Sequence, residues 1–206
     1  MSLIQFLEEI EFEPKVYGSS PDKYCDYTFN KSLDRIKAAG YLRHARPSEV
    51  FSLFIADFEN NLPDKQKEIV KDMLKNHGGE WLSMAFEREC DTLIAYTDPE
   101  GLVFNGDYVK DNFRFSSRNE FKITEIKSEE WIDLKNFENG LVELLYTRSF
   151  DKLPMAMQEG DKSARIYLPP NGVIWPLGRG NVNDYYDVYG HVWIGGASRG
   201  IRNNRE

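Results

Sequence analysis

The sequence predicts an α+β fold in which N-terminal amphipathic helices pack on a mainly antiparallel sheet formed by the C-terminal half. Three observations predict it. Before about residue 90, apolar residues recur at helical steps of three and four; beyond it they come in short β-branched and aromatic runs split by turn residues. The 206 residues, 41% of them hydrophobic, suffice for one apolar core. The expectation is therefore one α+β domain over 1–206, helix-rich over 1–90, strand-rich over 91–195, with a flexible tail over 196–206 where apolar content fades.

Taken in order, Leu3, Ile4, Phe6, Leu7 and Ile10 fit one face of a short helix that must end before Pro14. From Tyr17 to Asn30, Gly, Ser, Pro and Asp interrupt the aromatics and predict a loop pinned by Tyr24, Tyr27 and Phe29. Ser32 to Ala39 predicts a short helix closed by Gly40 as a left-handed cap. Pro47 suits a first helical turn, and Glu49 favours the positive end of the dipole. Val50, Phe51, Phe54, Ile55, Phe58 and Leu62 then form an apolar stripe. Asp64 opens a further helix with Ile69, Val70, Met73 and Leu74 on one face, stopping at His77-Gly78-Gly79. Trp81, Leu82, Ala85 and Phe86 repeat the same period and predict a helix that ends at Cys90.

After Cys90 the pattern changes. Thr92 to Tyr96 is short, β-branched and aromatic, and Asp98-Pro99-Glu100-Gly101 is a strong turn. Leu102 to Phe104 resumes the extended pattern until Asn105-Gly106-Asp107 breaks it. Phe113 to Phe115 and Phe121 to Ile126 alternate as half-buried strands do. Ser128-Glu129-Glu130 before Trp131 suits either a helix cap or an extended segment. Leu141 to Thr147 and Ala164 to Leu168 are further strand candidates, and Pro169-Pro170-Asn171-Gly172 turns the chain into Val173, Ile174 and Trp175.

Composition narrows the function classes. No run approaches the roughly 18 apolar residues of a membrane helix, so no membrane partner is expected. Met1 to Glu13 lack a basic leader, and Cys25 and Cys90 are too few for a disulfide framework, which together predict a cytoplasmic protein. The net charge of −8 disfavours nucleic acid, whose affinity rests on clustered Lys and Arg. His44, His77 and His191 lie far apart without a close Cys or His pair, so no metal and no cofactor are expected. Neither cysteine has the positive neighbourhood of a thiolate nucleophile. No Gly-x-Ser-x-Gly elbow occurs, and Glu80, Glu87, Glu89 and Asp91 look like a solvated helix face. No catalytic assignment emerges.

The richest segment runs from Trp175 to Trp193. Residues 171–200 hold seven of the fifteen glycines, interleaved with tyrosines. Glycine lets a ligand approach the backbone, ring faces offer flat apolar surface, and Asp reads polar groups. The candidate ligand-binding residues are Arg165, Trp175, Arg179, Tyr185, Asp187, Tyr189 and His191. Gly178-Arg179-Gly180-Asn181 is a weak candidate anion loop, and Arg165, Arg179 and Arg199 would recognise an anion if the fold gathered them.

Three functions fit these residues. The first is a non-catalytic protein-interaction or binding module, because the aromatic and arginine types are those enriched at interfaces. The second is an enzyme or small-ligand binder with a pocket in the C-terminal sheet, in which His191 serves as acid or base and Asp187 orients it. The third is a weak single-stranded nucleic-acid binder that stacks bases on exposed rings.

Overall fold

The computed structural model describes residues 3–14, 28–75, 79–123, 131–159, 163–180, 186–190 and 197–203. At 189, 190, 197 and 198 the description covers the backbone only. Helices and antiparallel sheet are present in about equal amount, an α+β fold.

The first half supplies α1 (Leu3–Glu8), β1 (Ile10–Phe12), α2 (Phe29–Ala38), β2 (Arg43–His44), α3 (Pro47–Phe58) and α4 (Asp64–Lys75). Pro47 stands in the first turn of α3, and the Glu49 carboxylate accepts the Arg46 N–H at 2.7 Å, closing that end as a cap. Gly40, with φ of +84°, follows α2 in the left-handed conformation that stops a helix.

Next come β3 (Glu80–Glu89), β4 (Thr92–Thr97), β5 (Glu100–Phe104), β6 (Tyr108–Arg114), β7 (Ser117–Lys122) and β8 (Trp131–Asp133). The predicted helix at Trp81–Phe86 is thus the long strand β3, and Cys90 sits in the turn to β4, not at a helix end. After a short helical turn, α5 (Asn139–Tyr146) stands where Leu141–Thr147 predicts a strand. The remainder is α6 (Met155–Gln158), β9 (Arg165–Tyr167), β10 (Ile174–Arg179), β11 (Val188–Gly190), β12 (Ala197–Ser198) and β13 (Gly200–Asn203). The expected flexible tail therefore contains two paired strands. Of the loop predicted over Tyr17–Asn30, residues 17–27 lie outside the described residues, and Phe29 and Asn30 instead open α2.

Strand order in the main sheet is β7-β4-β3-β10-β11-β9-β8, with β12 parallel to the start of β3. Most pairings are antiparallel; β9 with β11 and β12 with β3 are parallel. A second sheet has the order β1-β13-β2, so the last described strand lies between the first two. A third is the β5–β6 hairpin.

The main sheet is covered on both faces, which explains why its central strand carries no alternation. On the inner face, Leu82, Met84 and Phe86 of β3 join Leu93 and Ala95 of β4 beneath α3, α4 and α5. On the outer face, Trp81 and Ala85 join Ile94, Tyr96 and Trp175 beneath the hairpin and Phe29 of α2. Burying aliphatic and aromatic side chains on each face is the main stabilising term, at roughly 1.5–3 kcal/mol per large side chain.

Candidate functional site

The sequence candidates divide between the two faces. In β10 the pairing with β3 shifts register between Pro176 and Gly178. Such a bulge adds a residue to one strand and re-aims the side chains beyond it. Trp175 belongs to the outer cluster, whereas Leu177 belongs to the inner core. Arg179, two residues further, lies on the inner side with its guanidinium 5.8 Å from the Phe54 ring centroid.

Arg179 is wholly buried. It donates to the carbonyl oxygens of Gly180 at 3.2 Å and Met73 at 3.1 Å, and it lies 3.6 Å from Glu80 Oε1. The same carboxylate receives Arg199, at 3.0 Å through Nη2. Arg199 also donates to the Glu13 carbonyl and to Asp72 Oδ2, both at 2.6 Å. Burial opposes its charge, but Glu80 and Asp72 outweigh that cost and hold its pKa above the ordinary arginine value. Two arginines are thus gathered, though around resident carboxylates inside the protein. Glu80, expected on a solvated helix face, is the buried centre of this network. The anion-loop candidate at Gly178–Gly180 therefore turns its guanidinium inward.

Arg165 and Asp187 are brought together. Asp187 is buried, and its carboxylate accepts the Arg165 backbone N–H at 2.9 Å, Nε at 3.2 Å and Nη2 at 2.7 Å. This two-pronged grip fixes the guanidinium plane. That plane sits 4.9 Å from the Trp131 ring centroid.

Trp131 is not among the sequence candidates, yet it anchors an accessible part of the outer face. It is 42% exposed, and β8 places it directly across from Tyr167 of β9. The two rings lie 5.3 Å apart, and Tyr167 lies 6.4 Å from Trp175, with which it is almost parallel. Trp175 is itself oriented, since its Nε1 donates to Asp107 Oδ1 at 3.0 Å. The result is a row of three rings across the sheet, locked at one end by Arg165–Asp187 and at the other by the hairpin. Strand parity alone places Arg165 and Tyr167 on one face of β9, and only the pairing of β8 with β9 adds Trp131 to them.

Tyr189 pairs in register with Tyr167 along β11, and its side chain lies outside the described residues. Tyr185 and His191 lie outside them altogether, so the expected His191–Asp187 pairing is not among the described contacts.

A second polar cluster flanks the row. Glu87 accepts the Tyr96 hydroxyl at 2.6 Å and Lys110 at 2.6 and 2.7 Å, while Lys110 lies over the Tyr96 and Phe113 rings. Burial opposes the Lys110 charge, but the Glu87 carboxylate outweighs it and holds the lysine pKa above its ordinary value.

One Ser–His contact has the separation of a nucleophile and its base. Ser32 Oγ lies 2.6 Å from His44 Nε2. Both residues are buried, and Ser32 Oγ also donates to the Phe29 carbonyl at 2.8 Å within its own helix. The serine hydroxyl is thus engaged by backbone within its own helix. Among the described residues, no three His, Cys, Asp or Glu side chains are grouped to hold a metal ion. Nor is any described helix long and apolar enough to cross a membrane.

No family model, curated protein or solved structure matches the chain.

Proposed function

We propose that the protein is a non-catalytic interaction module that receives a protein partner on the exposed Trp131 end of the ring row on its outer sheet face, the Trp175 end being buried under the hairpin. The observation that carries this reading is the row Trp131–Tyr167–Trp175, with Trp131 42% exposed and Arg165 gripped beside it. Trp, Tyr and Arg are the residue types that dominate binding energy at interfaces. Their rigidity matters as much as their identity. The Trp175 ring and the Arg165 guanidinium are fixed by Asp107 and Asp187 before any partner arrives, so less side-chain entropy remains to be lost on docking.

A displayed random-peptide library, a glycan array and a single-stranded oligonucleotide, each probed with the intact protein, test this directly. Selected peptides are expected to perturb Trp131 and Tyr167, and Trp131→Ala to weaken them at least about tenfold. Met155→Ala, at another exposed apolar residue, should leave them unchanged. Peptides indifferent to Trp131→Ala, or binding confined to glycan or oligonucleotide, would overturn the proposal.

A further inference from the structure

The opposite border of the main sheet is β7, which pairs with β4 along Ser117–Lys122 without a register shift. Among the described strands nothing pairs with its other side. Alternation decides which backbone groups face that side. Ile123 N–H donates to Asp91 O across the β4 pairing at 2.8 Å, whereas Lys122 N–H donates outward to Glu138 Oε1 at 3.2 Å. Even-numbered residues of β7 therefore direct their N–H and C=O away from β4. At Arg118 and Glu120 these groups form a short, regularly paired edge, the kind that natural sheets usually cover or blunt.

We infer that this edge receives a second copy of the chain, β7 against β7, antiparallel about a two-fold axis centred on Asn119. The side-chain charges select that register together with Glu138, which already takes the outward Lys122 N–H and so blocks the alternative centred on Phe121 that would set Glu120 against Lys122. Hydrogen-bonded pairs across the axis must join even residues to even residues. Pairing Arg118 with its own symmetry copy sets two cations face to face, and pairing Glu120 with its copy sets two carboxylates so. Only the arrangement centred on Asn119 places each Arg118 opposite the other chain's Glu120, twice over. Opposite charges directly across a strand pair stabilise it, and like charges oppose it. Within one chain Arg118 Nη1 already contacts Glu120 Oε1, so both side chains lie on the same sheet face. Phe115, 43% exposed and packed 5.0 Å from Tyr96, extends the contact just before the strand. An isologous interface of this type makes one continuous sheet from two copies.

Sedimentation velocity over a concentration series, with circular dichroism to check the fold, tests the inference. The wild-type chain is expected to pass from monomer to dimer as concentration rises. Arg118→Glu sets four carboxylates at the axis, and Glu120→Arg sets four guanidinium groups; each should weaken self-association about tenfold or more. Mixing the two variants restores opposite charges across the axis, so an equimolar mixture should form a heterodimer near wild-type affinity. A monomer at every concentration overturns the proposal, as does a dimer that either single variant leaves intact. A mixture no tighter than its components also overturns it. Because both substitutions lie far along the sheet from Trp131, failure here leaves the peptide-binding test of the ring row unaffected.

Discussion

Buried ionisable residues set the sharpest expectations at the scale of single side chains. His44 is fully enclosed, with Nε2 at Ser32 Oγ and the Phe29 ring 4.7 Å away. Its Nδ1 is buried without a hydrogen-bond partner. A lone pair tolerates such a site better than an N–H does, which favours the neutral form protonated on Nε2. Burial, reinforced by the charges of Arg35, Arg43 and Lys37, pushes its pKa down to about 3. The unfolded chain therefore binds a proton that the folded chain refuses between about pH 6.5 and 3. Folding stability should fall through that window as pH drops, by on the order of a few kcal/mol. In His44→Gln the slope of unfolding free energy against pH should flatten over the same range, as read by urea titrations at successive pH values.

Glu80 is the other such case. Replacing it with Gln leaves Arg179 and Arg199 buried around a neutral group, with Asp72 as the remaining carboxylate on Arg199. A loss of roughly 3–5 kcal/mol in urea unfolding at neutral pH is expected, because an uncompensated buried charge is costly. Neither residue's role was legible in the sequence. Arg179 stands between two glycines, a setting that suggests an exposed anion loop. Its partners, Met73 and Glu80, come from distant segments, and local spacing carries no trace of them. Arg165 and Asp187 are both sequence candidates, and they meet because β9 and β11 run parallel.

Secondary-structure elements show where periodicity succeeds and where it misleads. Trp81, Leu82, Ala85 and Phe86 have the same spacing as Leu141, Val142, Leu145 and Tyr146, yet the first set is a strand and the second a helix. The intervening positions explain the difference. Ser83 and Met84 are buried, because β3 is covered on both faces; Glu143 is exposed, because α5 buries only one. A strand enclosed on two sides loses its period-two signature. The helix α4 was legible because it keeps one wet face, whereas α3, buried on every side from Glu49 to Ala56, was legible through its start at Pro47 and Glu49. Turns were legible too. Gly101, at the register shift near the start of β5, has φ of +78°, and a Cβ there would meet the Asp111 carbonyl oxygen at 2.2 Å. Gly101→Ala should therefore cost roughly 1–3 kcal/mol and loosen the hairpin cover of Trp175, measured as a lower Tm with increased Trp175 accessibility.

For the whole molecule, the predicted division into helical scaffold and sheet is present, but the two halves interleave. The inner core runs from Leu7 to Ile201 and includes α5 from the strand-rich half. The candidate site was partly legible for the same reason. Trp175 was visible as a ring near glycines, whereas Trp131 gained its place from pairing across β8 and β9. The proposed interfaces use opposite borders of one sheet: the ring row near β8 and the charged edge of β7. Because paired copies related by an axis normal to the sheet present the same face, both ring rows would point to one side. A partner with two docking segments would then bind far more tightly than one with a single segment.

The position of β13 has a consequence for synthesis. Ile10 pairs with Asn203, and His44 pairs with Gly200, so β1 and β2 have no strand between them until the ribosome has passed residue 200. Arg199, which locks that strand to Glu80, arrives at the same moment. During translation the nascent N-terminal segment must wait with its edges unpaired, the condition in which chains are most prone to misassociate.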